Sequence, residues 1–183
     1  MSTYKFSPIT NKAELLKAIY YTHEACHTLC KQTFGLYLPV AGNIGIFCHF
    51  YEEFTFLTKL REEMTIFSDN WNQKYYRLHE PIIIPAIEDI PETTYTYLYI
   101  RKPDAEHTDV GDVDFYMEPS KYKELKASLM RGNVLKNASI FDRPDLDLIR
   151  LSNSKIDACA FVGTTTMSNI FQRNQAIENT HHT

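Results

Sequence analysis

The sequence predicts an α+β protein in which a long N-terminal helix precedes a largely antiparallel sheet. Two observations support this fold class. Residues 12–33 carry apolar side chains at helical spacing between a capping signal and a glycine. From residue 43 onward, short segments of alternating polar and apolar residues recur between turn residues, and one helical segment interrupts each of two such blocks. Strands that alternate in this way bury one face and leave the other polar, which is typical of antiparallel sheets.

The composition is that of an ordinary globular chain. The 183 residues are 44% hydrophobic and 23% charged, which is enough to build one hydrophobic core. We therefore expect a single domain over residues 1–163, followed by a polar, flexible tail over residues 164–183.

Charge and hydropathy argue against several classes of partner. The net charge is −4 and Lys and Arg form no stripe, so neither a nucleic acid nor an anionic membrane is expected to bind. The longest apolar runs, such as residues 81–87, are far shorter than a bilayer-spanning helix. Residues 1–10 lack the pattern of a signal peptide, and the four cysteines contain no C-x-x-C pair. Free, buried thiols in a reducing cytoplasm are therefore expected.

The N-terminal helix has clear boundaries in the sequence. Asn11 followed by Glu14 resembles a capping box, and Gly35 is a good helix stop. A helix over residues 12–33 follows. Its apolar line contains Leu15, Leu16, Ile19, Tyr20, Cys26, Cys30 and Phe34.

The rest of the chain divides into two blocks of similar length and order. In the first block, residues 43–101, Pro81 interrupts a strand, which indicates either an edge strand or two short strands. Its segments are strand 43–50, helix 51–64, strand 75–84 and strand 94–101. The second block, residues 111–163, consists of strand 111–117, a helix between Pro119 and Gly132, and strands 139–142, 146–151 and 157–162. If Pro81 divides strand 75–84 into two, both blocks have the order βαβββ, which is a tandem βαβββ-type arrangement.

At this level the chain resembles the vicinal oxygen chelate superfamily, which includes glyoxalase and extradiol dioxygenase folds. The best local match is Val113-Asp114-Phe115-Tyr116-Met117 leading into Pro119-Ser120-Lys121-Tyr122, and the likeness spans residues 43–163. The resemblance implies two modules that form one curved sheet around a cleft, often with a divalent metal. It also implies a small-molecule substrate.

A second motif lies within the predicted N-terminal helix. His23, Glu24 and His27 form an H-E-x-x-H pattern. At spacing i and i+4 the two imidazoles share one helix face and could bind one zinc ion, and Glu24 could then act as the catalytic base of a hydrolase or peptidase. The alternative is a structural helix in which two partly buried histidines pack against the core.

Strand alternation predicts a group of polar side chains on one face of the sheet. Polar groups that converge on a hollow are what a ligand-binding pocket requires. The alternative is the solvated face of an antiparallel sheet. The predicted ligand-binding residues are His49, His79, Tyr97, Arg101, Asp112 and Asp114, with Arg150 on the same face.

Three functions therefore stay open. The first is a small-molecule-binding or metal-assisted lyase or isomerase pocket in the sheet. The second is a zinc-dependent hydrolase that uses His23 and His27 as ligands and Glu24 as base. The third is a non-catalytic interaction module or homodimer.

Overall fold

The computed structural model describes residues 4–70, 73–143 and 146–170. Within these ranges the expected α+β fold is confirmed, with a long N-terminal helix followed by one curved, mostly antiparallel sheet. Most of the tail expected over residues 164–183 lies outside the described residues, because the description ends at residue 170.

The observed elements follow the predicted order. The helices are α1 (Lys12–Phe34), α2 (Tyr51–Met64) and α3 (Pro119–Met130). The strands are β1 (Val40–Phe47), β2 (Tyr76–Ile84), β3 (Thr93–Arg101), β4 (Gly111–Tyr116), β5 (Ala138–Arg143), β6 (Leu146–Asn153) and β7 (Ile156–Gly163). Strand β1 begins and ends three residues before the predicted strand 43–50, so His49 lies beyond its end.

The boundaries of α1 follow from its capping residues. The Asn11 side chain accepts a hydrogen bond from the backbone N–H of Glu14 at 3.0 Å. The Glu14 carboxylate accepts from the backbone N–H of Thr10 at 2.7 Å, so the return bond reaches one residue further than in a standard capping box. At the other end Gly35 adopts φ 74° and its N–H donates to the carbonyl of Lys31. A left-handed glycine of this kind ends many helices.

The seven strands form one sheet in the order β2-β3-β1-β4-β7-β6-β5. In each block the first strand runs parallel to the last: β1 pairs with β3, and β4 pairs with β7. The two blocks meet in the middle of the sheet, where β1 and β4 pair antiparallel. Strand β2 is an edge strand whose register with β3 breaks between Arg77 and Ile82, the segment that contains Pro81. This confirms the edge position that Pro81 predicts.

All three helices pack on the same face of the sheet. Helix α1 contacts β1, β4, β6 and β7, α2 contacts β2 and β3, and α3 contacts β5. The core between α1 and the sheet is apolar and includes the fully buried Leu15, Leu29, Ile44 and Phe115. The alternate residues of the same strands therefore face away from α1, α2 and α3.

Two further findings concern the chain as a whole. No helix in the described ranges combines the length and hydropathy that crossing a membrane requires. The four cysteines are free and buried, as expected.

Candidate ligand-binding pocket

The face of the sheet that points away from α1, α2 and α3 forms a cavity of about 230 Å³. Residues of β3 and residues of β5 both line it, although these strands are five positions apart in the sheet. Five strand spacings span roughly 24 Å in a flat sheet. The sheet therefore curves around this cavity.

The floor of the cavity is formed by Asp112, whose side chain lies over Gly45 on the neighbouring strand. A Cβ at position 45 would lie 2.0 Å from Asp112 Oδ1, so only glycine leaves room for this carboxyl group. The residue is only 5% exposed, and its Oδ1 atom has no hydrogen-bond partner among the described residues. Burial, together with the nearby charge of Asp114, raises the pKa of Asp112 well above its usual range. Burial therefore favours the protonated form of this carboxyl group.

Asp114 lies two residues further along β4, on the same face of the sheet. Its Oδ2 atom accepts hydrogen bonds from Asn43 Nδ2 at 3.0 Å and from the Tyr75 hydroxyl at 3.3 Å. Burial raises the pKa of Asp114 to about 6, and the two hydrogen bonds limit the rise because they stabilise the carboxylate. The two carboxyl groups of β4 therefore have different surroundings: hydrogen bonds stabilise the ionised form of Asp114, and Asp112 Oδ1 has no such bond among the described residues.

Cationic side chains surround these two acids. They are Lys74, Arg101, Arg143 and Arg150. Arg101 bonds Asp104 at 2.9 Å, and Arg150 contacts Asp109 at 3.5 Å. Both of these carboxylates belong to the loop between β3 and β4, so the loop partly neutralises the two arginines at the rim of the cavity.

The walls of the cavity are largely aromatic. Five rings contribute: Phe47, Tyr75, Tyr99, Phe141 and Phe161. The Tyr75 and Tyr99 ring centroids lie 5.5 Å apart, and those of Phe141 and Phe161 lie 5.2 Å apart. Separations of this size are typical of favourable ring pairs. The remaining lining residues are His107, Leu146, Leu148 and Cys159.

Three of the six predicted ligand-binding residues come together here. Arg101, Asp112 and Asp114 all line the cavity, as does Arg150. The other three line no part of it. His49 stacks on Tyr4 with ring centroids 4.0 Å apart, and a hydrogen bond of 2.8 Å joins its Nδ1 atom to Ser7 Oγ.

The remaining two predicted residues lie elsewhere on the sheet. His79 is exposed on the edge strand β2. Tyr97 is buried where β3 pairs with Asn43 of β1 and Arg77 of β2. Strict alternation would place Tyr95 and Tyr99, four residues apart on β3, on the same face of the sheet. Instead Tyr95 contacts helix α1, and Tyr99 lines the cavity on the opposite face.

The H-E-x-x-H residues belong to the core under the sheet. His23 and His27 are buried with ring centroids 4.2 Å apart. His23 Nδ1 hydrogen-bonds the Tyr95 hydroxyl at 2.9 Å, and His27 Nδ1 donates to the backbone carbonyl of His23 at 2.8 Å. Glu24 is exposed on the other side of the helix.

The part of the chain that the structure describes contains no cluster of three or more His, Cys, Asp or Glu side chains placed to hold a metal ion. His23 and His27 therefore have no third ligand of these types among the described residues. The nearby thiols bond the backbone instead: Cys26 contacts the carbonyl of Cys159, and Cys30 accepts from the N–H of Leu38.

Most of the aromatic lining was not predicted from the sequence. Phe161 and Cys159 are the register partners of Asp114 and Asp112 across the parallel β4–β7 pair. Partners in register share a face of the sheet. A correct guess of the strand order would therefore have identified them, and the sequence carried no other signal for these residues.

Comparison of the chain with protein-family models, with curated proteins and with solved structures finds no match.

Proposed function

We propose that this protein binds a small organic acid with a single ring in the cavity on the face of the sheet that points away from α1, α2 and α3. The observation that carries the proposal is the buried Asp112 carboxyl group, whose Oδ1 atom has no partner among the described residues, in a cavity lined by aromatic and cationic side chains. A buried polar atom without a partner is rare in proteins and costs stability. A ligand that forms a hydrogen bond with the Asp112 carboxyl group would offset part of this cost.

The size of the cavity sets the size of the ligand. Its volume is about 230 Å³. An apolar cavity of about 150 Å³ holds benzene, and a water molecule takes up about 30 Å³. The cavity thus has room for one six-membered ring and a short polar substituent.

The lining sets the chemistry of the ligand. Aromatic side chains such as Phe47 and Phe161 provide flat, apolar contact surface for a ring. Arg101 and Arg150 can each bind a carboxylate through two parallel N–H groups. Because the whole chain has a net charge of −4, this local concentration of cations favours an anionic ligand over a neutral one.

The proposal extends to the family and the compartment. We propose that the two blocks are modules of the vicinal oxygen chelate type. The parallel pairing of the first and last strand within each block supports this, as does the position of the cavity across both blocks. The four free, buried cysteines support a cytoplasmic location.

Thermal unfolding in the presence of single-ring acids tests the proposal. Benzoate, phenylacetate and phenylpyruvate are the probes, and benzyl alcohol is the neutral control. A ligand at about 100 times its Kd stabilises by roughly 2.7 kcal/mol. For a chain of this length we expect the Tm to rise by about 5–10 °C.

Two arginine variants make the test specific. Arg101→Ala should abolish the rise in Tm, because it removes a cation from the rim. Arg131→Ala should leave it unchanged, because Arg131 lies at the end of α3 and is exposed. Absence of any rise with all three acids, or an equal rise with benzyl alcohol, would contradict the proposal.

A further inference from the structure

We propose that Asp112 and Asp114 are a catalytic acid–base pair that interconverts the keto and enol forms of a single-ring 2-oxo acid. This inference rests on the proposed function, because the ring and carboxylate of the substrate must first be held in the same cavity. It adds a reaction and assigns a separate role to each carboxyl group.

The first support is the position of the two groups. They are two residues apart on β4 and both line the cavity. At a rise of about 3.3 Å per residue their Cα atoms lie roughly 6.6 Å apart. A planar keto–enol group between them lies within hydrogen-bond reach of both carboxyl groups, which is the geometric requirement for general acid–base catalysis.

The second support is the difference between their surroundings. Asp112 lines the cavity, and its Oδ1 atom, which lies against Gly45, has no hydrogen-bond partner among the described residues. Asp114 accepts hydrogen bonds from Asn43 and Tyr75, which stabilise its ionised form. When two carboxyl groups occupy environments that favour opposite protonation states, one is suited to act as acid and the other as base.

The reaction balances without any further reactant. The Asp114 carboxylate takes a proton from the carbon next to the carbonyl, and the electron pair of that C–H bond forms the carbon–carbon double bond. The π electrons of the carbonyl move to its oxygen, which takes the proton of Asp112. The product is the enol, with Asp114 neutral and Asp112 ionised. Asp114 then gives its proton to solvent and Asp112 takes one from solvent, which restores both groups.

Arg101 assists the charge movement. Its positive charge favours the ionised form of Asp112, which is the form that exists after the proton has been given to the substrate. The carboxylate of the substrate would bind at the rim, where Arg150 also lies. This places the ring against the aromatic walls and the 2-oxo group toward β4.

Phenylpyruvate is a suitable probe, because it has one ring, a carboxylate and a carbonyl next to a CH₂ group. In D₂O, proton NMR follows the exchange of the two benzylic hydrogens for deuterium, and ultraviolet absorbance follows the loss of the enol. We expect the native protein to accelerate both processes. Asp114→Asn and Asp112→Asn should each reduce kcat by about 10²–10⁴-fold and still bind phenylpyruvate.

Glu80→Gln is the matched control, because Glu80 is exposed on β2 and lines no part of the cavity. It should exchange at the native rate. The pH profile of the native protein provides a measurement that needs no variant. The rate should fall about tenfold per pH unit below pH 6, because Asp114 is protonated there.

The outcomes separate the two proposals. If phenylpyruvate binds and the native protein does not accelerate exchange, the acid–base pair is refuted and the binding proposal stands. If neither phenylpyruvate nor the other single-ring acids bind, both proposals fall. Native exchange rates in a correctly folded Asp114→Asn variant would also refute the acid–base pair.

Discussion

At the scale of single residues, the two buried histidines of α1 are held in their neutral form. His23 is fully buried. Burial, and then the charge of His27, lower the pKa of His23 to about 3 from its ordinary 6.5. Burial also lowers the pKa of His27. Protonation of either histidine therefore opposes folding.

The first prediction concerns the stability of the fold in acid. In the unfolded chain His23 takes up a proton near pH 6.5, whereas in the folded chain it does not. The stability that neutral His23 contributes to the fold is therefore complete above pH 6.5. It is lost as the pH falls towards 3. Between pH 7 and pH 5, His23 alone should reduce the free energy of unfolding by about 2 kcal/mol.

Urea unfolding at pH 7 and pH 5 measures this loss. His23→Gln should make it smaller, whereas His79→Gln should not change it, because His79 is exposed. An unchanged pH dependence in His23→Gln would contradict the assignment.

The second prediction is that ionisation of Asp112 lowers the free energy of unfolding. Its pKa is raised on folding, so the fold is penalised as the pH rises above the ordinary range of a carboxyl group. Asp112→Asn should therefore stabilise the protein by roughly 1–3 kcal/mol at high pH and have little effect at pH 4. Asp157→Asn, at an exposed position, should change stability little at either pH. A destabilised Asp112→Asn variant at high pH would argue against a carboxyl group whose ionised form is opposed by burial.

The sequence indicates these residues but not their surroundings. Alternation along β4 correctly placed Asp112 and Asp114 on one face, because side chains of a strand point in turn to opposite sides. Alternation could not show that Gly45 lies across from Asp112, since this depends on the register of β1 and β4.

At the scale of elements, the pairing of β1 with β4 positions the floor of the cavity. The third prediction is that Gly45→Ala forces Asp112 out of place, because the added Cβ would lie 2.0 Å from its Oδ1 atom. We expect a loss of roughly 1–3 kcal/mol in the free energy of unfolding and no rise in Tm with phenylacetate.

A double-mutant cycle checks the cause of this effect. The Gly45→Ala substitution should cost less in an Asp112→Ala background, because the carboxyl group that clashes is gone. Equal costs in the two backgrounds would show that the clash involves another group.

The loop between β3 and β4 competes with the ligand for the arginines. The fourth prediction is that Asp104→Asn tightens the binding of phenylacetate, because Arg101 then has no carboxylate partner at 2.9 Å. Partly exposed ion pairs contribute about 0.2–1 kcal/mol, so the affinity should rise by roughly 1.4- to 5-fold. Isothermal titration measures this change, with Asp69→Asn as the exposed control. Weaker binding in Asp104→Asn would mean that the loop positions Arg101 instead of competing for it.

The boundaries of helix α1 were predictable because they depend on local signals. Asn11 and Gly35 mark the ends of α1 through their own backbone and side-chain hydrogen bonds. The position of His49 was wrong as a strand residue, because β1 ends at Phe47. The end of a strand depends on its neighbours, which the sequence does not specify.

At the scale of the whole molecule, the cavity belongs to both blocks of the chain. The first block provides Phe47, Tyr99 and Arg101, and the second provides Asp112 and Phe161. The cavity therefore requires the central β1–β4 pairing and the curvature of the complete sheet. Repetition in the sequence predicted the two blocks, but contacts between residues far apart in the chain determine how they join.

A crystal structure of the protein with phenylacetate tests the central proposal most directly. We expect the ring of phenylacetate to lie between Phe47 and Phe161, with its carboxylate within hydrogen-bond distance of Arg101 or Arg150. An empty cavity at saturating phenylacetate, or a ring bound on the helical side of the sheet, would contradict it.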